Sequence, residues 1–123
     1  MKRCLVVDDS RVIRRVASKI IQELGLDVEE AENGKKAMNA VAIRMPDLVF
    51  TDWDMPTMNG IEFVRALRKL PGGDKVAVVF CTTENEVAQI LQALEAGADE
   101  YIMKPFDGEI VRSKLLLLGL LSE

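Results

Sequence analysis

The sequence predicts a single doubly wound α/β domain over residues 1–123, built from five parallel strands and five helices. Three observations carry that reading. Short apolar runs of strand character alternate with segments whose apolar residues recur at helical spacing, each pair taking about 25 residues. The runs at 4–7, 48–51 and 76–81 are mostly unbroken rather than alternating, as strands covered on both faces are. A chain of 123 residues is also one domain by length, able to hide roughly two-thirds of its unfolded surface without a staple or metal.

The first strand, Cys4-Leu5-Val6-Val7, ends at Asp8-Asp9, and Ser10 is placed to cap a helix. Val12, Ile13, Val16, Ala17, Ile20 and Leu24 then form one helical face, with Arg11, Arg14, Arg15 and Lys19 on the other, until Gly25 stops it. Asp27-Val28-Glu29-Glu30-Ala31 reads as a short, partly polar edge strand. Asn33-Gly34 turns the chain into a second helix carrying Ala37, Met38, Val41 and Ala42, closed by Pro46-Asp47. The third strand drives from Leu48 to Thr51 and delivers Asp52 before a Pro56 and Asn59-Gly60 turn region. Ile61, Phe63, Val64 and Leu67 mark a third helix, ended by Pro71-Gly72-Gly73. Val76 to Cys81 is the most strand-like stretch and delivers Thr82-Thr83. Glu84-Asn85-Glu86 opens a fourth helix through Val87, Ile90, Leu91 and Leu94 to Gly97. Tyr101-Ile102-Met103 is a last short strand before Lys104-Pro105, and a final helix is expected from about 107 to 121.

Right-handed crossovers between five such units leave few topologies, and the flavodoxin-like order 2-1-3-4-5 is the natural one. Its switch point lies between strands one and three, so Asp8-Asp9 and Asp52 should face each other across the crevice at the carboxyl ends of the strands.

Bulk properties narrow the function. The 16 Lys+Arg against 20 Asp+Glu give a net charge of −4, which argues against nucleic-acid binding. Cys4 and Cys81 lie in apolar runs and read as buried free thiols. Met1-Lys2-Arg3 leads straight into a strand, and no apolar run reaches a membrane span, so a cytoplasmic protein without membrane contact is expected. The absence of histidine removes Ser-His-Asp triads, Cys-His pairs and His-ligated zinc together. The remaining chemistry is that of carboxylates, hydroxyls, lysine and a borrowed cation.

Asp8, Asp9 and Asp52 within about 5 Å of one another would repel by about 3 kcal/mol per pair at an effective dielectric of 20. Such a cluster takes up protons or binds a cation, and an all-oxygen set in an open crevice suits Mg2+. Lys104 would add a fixed positive charge, and Thr82 a hydroxyl. A carboxylate so flanked is arranged to accept a phosphoryl group as an aspartyl phosphate at Asp52.

The strings Leu5-Val6-Val7-Asp8-Asp9-Ser10, Asp52-Trp53-Asp54-Met55-Pro56 with Asn59-Gly60, Thr82, and Tyr101-Ile102-Met103-Lys104-Pro105-Phe106 resemble the response-regulator receiver domain of two-component signalling. The resemblance spans the whole chain and is strongest to single-domain, CheY-like chemotaxis regulators. It implies phosphorylation of Asp52 by a partner kinase's histidine, or by a phosphotransfer protein. It further implies Mg2+ held by Asp8, Asp9, Asp52 and the backbone carbonyl of Asp54. Lys104 would contact the phosphoryl group, Thr82 would swing toward it, and Tyr101 would move from exposed to buried. The surface of the fourth helix, fifth strand and fifth helix would change with it. A cis Lys104-Pro105 bond is also implied.

Asp54 stands where this subfamily often has Asn and is expected to alter phosphate lifetime. Thr83 is bulkier than the residue common there and should narrow access, and Glu84 is a candidate to position a water. The last helix carries more leucines than one stripe needs, so a docking or weak dimer face is set against a monomer with a loosely patterned helix. With nothing after the domain, output is expected through a protein target, a flagellar motor switch or a phosphorelay among the candidates. The rival is a small haloacid-dehalogenase-type phosphatase using Asp52 as nucleophile and Asp54 as acid. It is disfavoured because that motif belongs on a first strand. A cofactor carrier is disfavoured because no Ser/Thr/Gly-rich loop follows strand one.

Overall fold

The computed structural model describes residues 2–83 and 87–121. The expected opening of the fourth helix at Glu84-Asn85-Glu86, and the water-positioning role of Glu84, lie outside those residues. The elements run β1 (Arg3–Val7), α1 (Arg11–Glu23), β2 (Asp27–Ala31), α2 (Gly34–Ile43), β3 (Leu48–Asp52), α3 (Gly60–Arg68), a 3-10 turn (Gly73–Lys75), β4 (Ala77–Thr82), α4 (Val87–Ala96), β5 (Glu100–Met103) and α5 (Gly108–Leu117). All strand pairs are parallel, in the order β2-β1-β3-β4-β5. The predicted doubly wound, CheY-like topology is therefore the observed one.

The unbroken apolar runs follow from the two layers they separate. Leu5, Val7, Val49, Val78 and Phe80 point into a core with Val41, Phe63, Val64, Leu67 and Ala93 of α2, α3 and α4. Cys4, Val6, Phe50, Val79 and Cys81 point the other way, against Ala17 and Ile21 of α1 and Val111 and Leu115 of α5. Every residue of β3 is buried. Both cysteines are free and buried, as expected, and burial pushes the Cys81 thiol up to about 12.

Helix starts are fixed by side-chain caps that satisfy otherwise orphaned amides. Ser10 accepts from the Ile13 amide, Asn33 from Lys36, and Asp107 from Ile110. Asn59 and Glu62 form a reciprocal capping box at α3. Asn59-Gly60 is thus a helix entry as well as a turn.

The last helix is shorter than expected. It ends at Leu117, and Gly119 adopts φ 75°, a left-handed stop that turns the chain back. Leu118, Leu120 and Leu121 then pack on the α1/α5 core, while Leu117 is 74% exposed. The leucine excess is largely a folded-back tail rather than a wider helical stripe.

At the end of the sheet opposite the aspartates, Arg68 clasps three segments. Its guanidinium donates to the carbonyls of Gly73, Val76 and Gly97 and pairs with Asp99 at 3.1 Å. Asp99 in turn accepts the Val78 amide.

Candidate functional site

Strand register brings the site together. Val7 lies opposite Thr51, Asp52 opposite Cys81, and Thr82 opposite Met103, so β1, β3, β4 and β5 all finish at one rim. Backbone bonds carry the alignment one residue beyond the strands. The Asp8 amide donates to the Ala31 carbonyl at 3.2 Å, and the Lys104 amide to the Thr82 carbonyl at 2.8 Å. Side chains borne by separate strands thereby meet. Carboxylate oxygens of Asp8, Asp9 and Asp52 lie within 4.8 Å of one another. The Lys104 ammonium donates to Asp8 Oδ2 at 3.0 Å and to Asp52 Oδ1 at 3.1 Å. Asp8 and Asp52 are buried and Asp9 is exposed, so the cluster opens to solvent on one side.

The loops hold these groups in place. Asp8 Oδ1 accepts the Ser10 amide, and its carbonyl accepts from Arg14. Asp52 Oδ1 also accepts the Trp53 amide at 2.9 Å, so both of its hydrogen bonds among the described residues fall on that oxygen. Gly60 lies against the Asp52 backbone: a Cβ there would stand 2.2 Å from the Asp52 carbonyl oxygen and 2.8 Å from Phe80. A side chain at this position would displace the strand end that carries Asp52. The Lys104-Pro105 bond is cis.

The electrostatics follow from burial and crowding. Burial raises the Asp52 carboxyl above its ordinary value, the Asp8 charge raises it further, and Lys104 with the Trp53 amide offsets only part. Burial alone would pull the Lys104 ammonium down. Its hydrogen bond to Asp8 and the charges of Asp52 and Asp8 outweigh that and raise it. One ammonium between two buried carboxylates leaves the cluster short of positive charge. Three hard oxygen donors at this spacing, one of them solvent-facing, fit Mg2+ and would suit a soft metal poorly.

Beside Asp52 lies a cavity of about 290 Å3 lined by Asp52, Trp53, Asp54, Thr82, Thr83 and Gln89. Thr82 is buried at the end of β4, while the exposed Thr83 stands at the mouth and Asp54 is also exposed. Tyr101 is not among the residues lining this cavity. It is half-buried on β5, beneath the Lys114 ammonium 5.2 Å from its ring centroid, and Lys114 is paired with Glu100 at 2.8 Å. Sequence reasoning brought the acidic cluster, Lys104 and Thr82 to one edge. It missed the Trp53 amide, the packing demand on Gly60, the Glu100–Lys114 pair and Gln89. Of these only Gly60 carried a signal, as a glycine four residues past Pro56 at the site.

Comparison with known proteins agrees with this geometry. The family profile described as "Response regulator receiver domain" matches residues 4–116. Chemotaxis protein CheY1 of Helicobacter pylori is 38% identical over 120 residues, spanning 95% of this chain and 97% of that protein. A chemotaxis protein CheY homolog of Campylobacter jejuni is 37% identical over 115 residues, spanning 92% and 88%. Among solved structures, the chemotaxis response regulator CheY4 of Vibrio cholerae superposes with a TM-score of 0.91 at 31% identity, covering 96% of this chain and 98% of that one. These matches, with Asp52 on the third strand, leave the phosphatase alternative without support.

Proposed function

Because this chain belongs to the response regulator receiver domain family, whose function is to take a phosphoryl group from a histidine kinase on an aspartate, we propose that Asp52 is its phosphoacceptor. The observation that supports this most directly is the convergence of Asp8, Asp9, Asp52 and Lys104 at one rim. Asp52 Oδ1 is engaged by Lys104 and the Trp53 amide, so Oδ2 is the oxygen that attacks phosphorus. Asp8, Asp9, Asp52 and the Asp54 backbone carbonyl are the proposed Mg2+ ligands. When bound, the ion neutralises the crowded carboxylates and the oxygens of the transferring group. Lys104 releases its hold on Asp52 to pair with the phosphoryl group, and its two present carboxylate partners keep it protonated and within reach.

The consequence is a switch rather than turnover. Thr82 closes on the phosphoryl group and Tyr101 follows inward, altering the face made by α4, β5 and α5. Asp54 adds a negative charge at the cavity and is proposed to set phosphate lifetime. The donor is a histidine kinase or phosphotransfer protein, and the target is a protein. The relatives named as chemotaxis proteins support a chemotaxis role, with a flagellar motor switch as the proposed target and the cytoplasm as the proposed location.

Incubation with acetyl phosphate and Mg2+, followed by intact mass spectrometry, tests the assignment. A single phosphate adduct on the wild type, absent from Asp52→Asn and from magnesium-free samples, is expected. An adduct that persists in Asp52→Asn refutes it.

A further inference from the structure

Arg14, in the first turn of α1, adds no ligand to the acidic cluster but touches the backbone that bears it. Its Nη1 donates to the Asp8 carbonyl at 2.8 Å and its Nε to Glu30 Oε1 of β2 at 2.9 Å, with the side chain 15% exposed. The accepting carbonyl belongs to the planar peptide unit that joins Asp8 to Asp9, so holding it fixes how both residues leave the strand. The two carboxylates depend on that hold unequally. Asp8 is also tied through its own oxygens to the Ser10 amide and the Lys104 ammonium. The exposed Asp9 carboxylate makes no hydrogen bond among the described residues, so its placement rests on the backbone beneath it. An arginine suits this post because its planar fork meets two acceptors at once. Glu30 offsets the charge that comes with it, so the carbonyl is held without a net cation set against the carboxylates.

We propose that Arg14 is a positioning residue for the Mg2+ site, clamping the Asp8–Asp9 peptide to β2 so that both carboxylates stay turned toward Asp52. The inference rests on Asp8, Asp9 and Asp52 being metal ligands. Partners that orient ligands in this way count for nearly as much as the ligands themselves. Orientation and charge make opposite demands at this position, which separates them. Removing Arg14 leaves the neighbourhood one positive charge poorer, and by charge alone a divalent cation would then bind more tightly. Loss of the clamp lets the Asp8–Asp9 peptide turn, and binding then weakens. Arg14 therefore sets how much Mg2+ the site needs without entering the transfer to Asp52.

The test is a Mg2+ titration of wild type, Arg14→Met and Arg14→Lys, without any phosphodonor. Trp53, the one tryptophan of the chain, has its amide on Asp52 and reports binding by fluorescence; the rise of melting temperature with Mg2+ gives a second reading. Metal-free melts establish that each variant is folded at the titration temperature. The dissociation constant for Mg2+ should rise about tenfold in Arg14→Met and recover at least in part in Arg14→Lys, which keeps the charge and a donor. With acetyl phosphate added, adduct formation in Arg14→Met should need correspondingly more Mg2+ and reach the wild-type rate at saturation. Binding in Arg14→Met as tight as wild type or tighter overturns the proposal, as does a rate still depressed at saturating Mg2+. If Arg14→Met does not fold, an unchanged dissociation constant in Arg14→Lys overturns it. A wild type that shows no response to Mg2+ by either reading overturns the metal site itself, and the role of Arg14 with it.

Discussion

Replacing Asp52 by Asn should stabilise the metal-free protein and remove most of its response to magnesium. The forces on the Asp52 carboxylate oppose one another. Attraction to Lys104 at 3.1 Å is about 5 kcal/mol at an effective dielectric of 20, and repulsion from Asp8 within 4.8 Å is about 3 kcal/mol. Desolvating a buried carboxylate costs several kcal/mol more, which tips the balance against the charge. The raised Asp52 pKa has that sign. The folded state then holds the Asp52 proton more tightly than the unfolded chain does. The penalty is absent below the ordinary value of 3.8 and fully present above the raised folded value. An Asn carries no charge and keeps an oxygen for the Trp53 amide and Lys104. Allowing for water at the crevice mouth, the gain near neutral pH is about 1 kcal/mol, or about 4 °C in melting temperature. In Mg2+ at a hundredfold excess over Kd the wild type gains about 2.7 kcal/mol, whereas the variant, one carboxylate poorer, gains much less. The stability order therefore reverses between chelator and magnesium. Calorimetric melts in both buffers at pH 4 and pH 7 measure this; a variant less stable than wild type in chelator at pH 7 refutes the reasoning.

Lys104→Ala strips the one ammonium bonded to Asp8 and Asp52 among the described residues, so metal-free stability should fall by about 3 kcal/mol in urea melts and recover in part with Mg2+. Gly60→Ala forces a methyl against the Asp52 carbonyl and Phe80, and should cost about 2–3 kcal/mol as well as slowing adduct formation at Asp52. Arg68→Ala orphans the carbonyls of Gly73, Val76 and Gly97 and should cost about 2–3 kcal/mol, with adduct formation unchanged because the clasp sits at the far end of the sheet. Leu117→Lys changes a side chain that is 74% exposed and should move the melting point within error; sedimentation of both forms then reads whether that face pairs two copies.

Much of the fold was legible because burial on both faces leaves unbroken apolar runs, and residues 4–7 and 48–51 show it plainly. The acidic cluster was legible for a related reason: strands in register end together, so a residue just past a strand can be placed without seeing it. Side-chain direction was not legible. Nothing local to Lys104 says that its ammonium reaches Asp8, 96 positions away, or that Arg68 finds Gly97. The final helix was misjudged because a run of leucines has no period of its own. Gly119, which ends the helix by its left-handed backbone, was the overlooked signal.

The division of the interior into two compartments has a mechanical consequence. Phe80 touches Trp53 beside Asp52 and belongs to the compartment of α2, α3 and α4, as does the partly buried Tyr101. Its chain neighbours Val79 and Cys81 belong to the compartment of α1 and α5, where Phe50 meets Phe106. Along each central strand, odd and even positions therefore answer to different helices. The ring of Trp53 therefore leans on the half of the molecule built from α2, α3 and α4, and the sheet stands between it and the half built from α1 and α5.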